Sequence, residues 1–74
     1  MTPSYFTLLI RRDLHSRWEV DFGDWDKSVV NDERDDHLDH GNGVRASCLK
    51  IIQTTGTQSE IDEVVAYQNT QAGF

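Results

Sequence analysis

The chain has 74 residues, of which 36% are hydrophobic and 27% charged. That is enough for one thin core, and it excludes a two-domain enzyme or a deep cofactor cavity. The net charge of -6 disfavours a polyanionic partner, while two Trp, two Tyr and three Phe argue against disorder. We expect one small domain over residues 1–74, with an ordered core over about 4–69.

The segment Tyr5 to Arg12 reads as a strand, with Phe6, Leu8 and Ile10 alternating on one face. It is the most apolar stretch, which places it mid-sheet. Its short apolar run follows no basic residue and ends in Arg11-Arg12, which predicts neither a signal peptide nor a membrane span. The lone Cys48 offers no internal disulfide, and a cytoplasmic location is expected.

Asp13 to Arg17 is a hairpin loop by length and polarity. Trp18, Val20 and Phe22 then alternate with Glu19 and Asp21 as a second strand, which Gly23 ends. Asp24 and Asp26 flank Trp25 as candidate caps of a helix running to His40. Gly41 supplies its stop, and Asn42-Gly43 a further turn. At helical spacing Val30, Glu33, Arg34, His37 and Leu38 share one broad side. Asp32, Asp35, Asp36 and Asp39 share the other.

Leu49 to Thr55 is β-rich and reads as the third strand, broken by Gly56. Thr57 and Glu60 fit a capping box ahead of Ile61, Val64, Val65 and Gln68. The tail from Asn69 is expected to fray. The fold class predicted is α+β, in the order β-β-α-β-α. Its three-stranded antiparallel sheet has the order 2-1-3, with both helices on one face. The other face (Tyr5, Thr7, Leu9, Arg11, Glu19, Asp21, Lys50, Ile52) would then be open, a surface for a homodimer or another assembly.

Charge is the sharpest functional signal. Glu19 to Asp39 holds nine acids against Lys27 and Arg34, a net of -7, so the other 53 residues sum to +1. Carboxylates repeating on one helix face stand about 5–6 Å apart, close to phosphate spacing along a nucleic-acid strand. Such a row can enter a cationic groove in place of phosphates. The partner-binding residues expected are Asp32, Asp35, Asp36 and Asp39, with Glu33 and Trp25 at the periphery. The partner class is the basic groove of a nucleic-acid-binding host protein, with no direct nucleic-acid or membrane binding.

Other chemistry is poorly represented. His37 and His40 lie i, i+3 near carboxylates, but zinc needs three or four converging ligands, so no metal site is expected. No nucleophile motif or phosphate loop is present, which predicts a non-enzyme without a cofactor.

The run Phe22-Gly23-Asp24-Trp25-Asp26, the charged helix ending Asp39-His40-Gly41, and Leu49-Lys50-Ile51-Ile52-Gln53-Thr54 carry a resemblance. On them the chain resembles small uncharacterised phage and prophage proteins, from Tyr5 to about Asn69. In size and charge it is loosely similar to phage anti-CRISPR and anti-restriction inhibitors. What that resemblance implies is a cytoplasmic inhibitor of host nucleic-acid machinery, for example a CRISPR effector. It transfers no active-site residue.

Overall fold

The computed structural model describes residues 4–40 and 45–74, with the His40 side chain outside the description. The expected stop at Gly41 and turn at Asn42-Gly43 fall outside the described residues.

Two hairpin strands come first, β1 (Tyr5–Ile10) and β2 (Glu19–Asp24), followed by α1 (Lys27–His40). A 3-10 turn (Ala46–Cys48) leads into β3 (Leu49–Thr54), and α2 (Gln58–Gln71) closes the chain. The sheet order is β2-β1-β3, with β1 antiparallel to both neighbours. This is the α+β fold and strand order that the sequence predicts. No helix among the described residues is long and apolar enough to cross a membrane.

The helices do not share a face, contrary to expectation. Phe6, Leu8 and Ile10 of β1 meet Val30 of α1, together with Phe22, Leu49 and Ile51. Leu9, Trp18 and Ile52 meet Val64 and Val65 of α2 on the other side. The sheet is therefore the middle of three layers, and Leu8 and Leu9 are both 0% exposed. The reason lies in the consecutive apolar residues Leu8-Leu9-Ile10 and Ile51-Ile52, which put hydrocarbon on both faces. Leaving Leu9 and Ile52 in water would cost about 1.5–3 kcal/mol each. The open face proposed for assembly is thus covered: Thr7, Leu9 and Ile52 are all buried.

β2 also departs from simple alternation. Leu8 pairs with Phe22 but Leu9 pairs with Val20, so Asp21 is an extra, bulged residue. The shift splits the expected apolar face. Phe22 joins the α1 side, Trp18 joins the α2 side, and Val20 is left exposed. The strand continues through Gly23 to Asp24. Gly23 lies beneath the Tyr5 ring, where any Cβ would collide with it.

Both expected helix starts are built, each with a variation. Asp24 Oδ1 accepts the Asp26 N–H at 2.8 Å. Asp26 Oδ1 accepts from the Ser28 backbone N–H at 2.9 Å and from the Ser28 hydroxyl at 2.7 Å. The hydroxyl and then the N–H of Ser28 hold the Asp26 carboxyl below its ordinary pKa. At α2, Thr57 Oγ1 accepts the Glu60 N–H at 3.2 Å. The Glu60 carboxylate, instead of closing the box on Thr57, accepts the Thr55 N–H at 3.1 Å.

The C-terminal end is tied down where fraying was expected. Helix α2 runs to Gln71, and Asn69 is buried. Asn69 Oδ1 accepts the Trp18 N–H at 2.6 Å, and its Nδ2 donates to the Trp18 carbonyl at 3.3 Å. The polar side chain replaces a missing strand partner at the start of β2.

Candidate functional site

Among its described residues, helix α1 buries one. Val30 is 0% exposed against Leu8 and Leu49. At 3.6 residues per turn, Asp32, Asp35, Asp36 and Asp39 all fall within about 60° of the direction opposite Val30. All four are exposed. With Val30 turned to the sheet, the row is presented outward.

Among the described residues, the one ion pair of this row is Arg34 Nη2 to Asp35 Oδ1 at 3.7 Å, with both side chains well exposed. An ion pair so solvated is worth little. Arg11, Arg12 and Arg17 form no ion pair with any of the four among the described residues.

Glu33 sits elsewhere. It lies on the flank of α1 facing β2, where His37 Nε2 is 4.0 Å from its carboxylate and 2.8 Å from Asp21 Oδ2. The bulge in β2 delivers Asp21 to this spot. Sequence alternation alone leaves Asp21 on a solvent face, and nothing in the sequence marks the bulge. One ligand atom each from Asp21, Glu33 and His37 lies within 4.8 Å of the others, a donor set that suits a cation. Two ligands of one tetrahedral zinc stand about 3.3 Å apart, given bonds of about 2.0–2.1 Å. The 2.8 Å contact is shorter than that and is a hydrogen bond. As it stands, the cluster latches α1 to β2. His40, the other histidine of the sequence argument, has its side chain outside the description.

Trp25 is not part of the row either. Its ring meets Tyr5 edge-on, with centroids 4.8 Å apart and an interplanar angle of 75°. It also covers Gly56, whose φ of +93° and lack of a side chain admit the indole. Tyr5 shares the Leu9 side of β1, so Trp25 packs towards the α2 layer. Its exposed half remains a surface feature, at 54%.

No protein-family model matches this chain, and no curated protein or solved structure matches it significantly.

Proposed function

We propose that the chain is a non-enzymatic binding protein, acting in the cytoplasm, whose α1 carboxylate row occupies a basic groove of a nucleic-acid-handling protein. A phage-type inhibitor of a host effector is the form of this reading that the sequence resemblance favours. The observation that carries it is the placement of Asp32, Asp35, Asp36 and Asp39 opposite Val30, with one weak cation contact to them among the described residues. A rigid helix holds the charges before encounter, so little ordering entropy opposes binding. Arg and Lys of the partner would pair with carboxylates at near-phosphate spacing. Complementary potentials would speed the encounter at low salt.

The test compares immobilised wild type with the Asp32→Lys/Asp35→Lys/Asp36→Lys/Asp39→Lys variant in host lysate. Proteins held by the wild type should elute with duplex DNA or high salt and be absent from the variant, whose far-UV CD stays native. Equal retention by the folded variant, or indifference to DNA, overturns the proposal.

A further inference from the structure

Positive charge in this acidic chain is concentrated at one end of the sheet. Five of the seven Lys and Arg residues (Arg11, Arg12, Arg17, Arg45 and Lys50) lie in the stretches 11–17 and 45–50, which contain a single acid, Asp13. The two stretches are stapled together. The Arg11 N–H donates to the Cys48 carbonyl at 3.0 Å, carrying the β1–β3 ladder one step further. The Arg11 guanidinium donates to the Ser47 carbonyl from Nε at 3.2 Å and from Nη2 at 2.8 Å. Between them is a cavity of about 370 Å³, lined by Arg12, Asp13, Leu14, His15, Arg45 and Cys48.

The lining chemistry is one-sided. Arg12, His15 and Arg45 are exposed, and none has a carboxylate within ion-pair distance among the described residues. Asp13 is the one acid present, and its Oδ1 is engaged locally. It accepts the His15 N–H at 2.8 Å and the Ser16 hydroxyl at 3.1 Å. Those two bonds, the backbone one foremost, hold its carboxyl below the ordinary pKa. They also fix the loop that carries Arg12 and His15. Two arginines and a histidine therefore line one cavity, together with Leu14 and buried Cys48.

We propose that this cavity binds a compact oxyanion, a phosphate or carboxylate group, through Arg12, Arg45 and His15. Planar guanidinium donors match both groups in bidentate geometry. The site is independent of the α1 row and stands or falls separately from it.

The experiment titrates the isotope-labelled full chain with sodium phosphate, sodium acetate or sodium chloride at matched ionic strength, following backbone amide shifts. Saturable shifts at Arg12, His15 and Arg45 are expected with an oxyanion and not with chloride. Saturation by phosphate alone names the phosphate group as the ligand, by acetate alone the carboxylate, and by both the shared oxyanion chemistry. Arg12→Glu/Arg45→Glu should weaken binding tenfold or more, whereas Lys27→Glu on α1 should not. If the charge reversal fails to fold, Arg12→Gln/Arg45→Gln makes the same comparison. Shifts that merely follow chloride, or saturation that survives loss of both arginines, overturn the proposal.

Discussion

Helices α1 and α2 are each 14 residues long and cover opposite faces of one sheet, yet they are held by different means. Helix α2 buries Ile61, rests Val64 and Val65 on Leu9 and Ile52, and ends in the Asn69 clamp on Trp18. Helix α1 fully buries Val30 and adds the polar latch of His37 on Asp21, while Val29 and Leu38 stay exposed. Most of the α2 pattern is thus explained by attachment to the sheet. Most of the α1 pattern is not, because Asp32, Asp35, Asp36 and Asp39 form no hydrogen bond or ion pair with the sheet among the described residues. A surface whose residues the fold does not require is where a binding role is best sought.

The strongest test of the two-sided core is a matched pair of cavities. Leu8→Ala opens the α1 side and Leu9→Ala the α2 side, and each should cost about 2–5 kcal/mol. A domain this small has only about 3–5 kcal/mol to lose. Neither variant should therefore show a cooperative thermal transition by CD. A mild effect of Leu9→Ala alone would mean that α2 is a loose cover, and the comparison of the helices would fail.

Next in size is Asn69→Ala. It leaves the Trp18 N–H and carbonyl without their partner in a buried setting, at a cost of about 2–3 kcal/mol. Urea denaturation should show the loss, with neighbouring Thr70→Ala, which is exposed, near neutral as a control. Equal effects at the two positions would remove the clamp from the account of α2.

What was readable in the sequence divides along the same line. Strand order, the α1 span, the start of α2 and the Asp26 and Thr57 caps follow from local patterns, namely alternation, helical spacing and cap residues. The face each helix covers does not, because it depends on which apolar side chains of β1 remain unburied after the first helix docks. Leu9 and Ile52 held that information, but their face reads as mixed because Thr7 and Lys50 flank them. Asp21 and Asn69 were illegible for another reason. A bulge aims one and a cross-chain backbone bond employs the other, and neither leaves a periodic trace. For the candidate surface, exposure of Asp32, Asp35, Asp36 and Asp39 was readable from Val30 and helical geometry. The separate positions of Glu33 and Trp25 needed the tertiary structure.

The α1 latch gives a smaller effect. His37 and Asp21 side chains are 24% and 26% exposed, so their hydrogen bond is partly shielded from water. His37→Ala should cost about 1 kcal/mol, below the Asn69 effect, and Asp21→Asn somewhat less. Chemical denaturation of the single and double variants would measure their coupling. Additive losses would show that the two side chains act independently and that Val30 alone attaches α1.

The smallest expected change in stability has the opposite sign. Asp32–Asp35, Asp32–Asp36, Asp35–Asp39 and Asp36–Asp39 are like-charge pairs at i, i+3 or i, i+4, each unfavourable by about 0.2–0.5 kcal/mol. Asp36 and Asp39 also sit in the C-terminal half of α1, where the helix dipole disfavours negative charge. Replacing all four with Asn, whose helix propensity is close to that of Asp, should raise stability by about 1 kcal/mol at low salt and less at high salt. The same variant should lose the partner that the wild type retains. Together these outcomes would separate the two helices cleanly, since no equivalent change on the buried side of α2 could stabilise the fold. A fall in stability would instead make the acidic row part of the scaffold, and the contrast between α1 and α2 would lose its functional meaning.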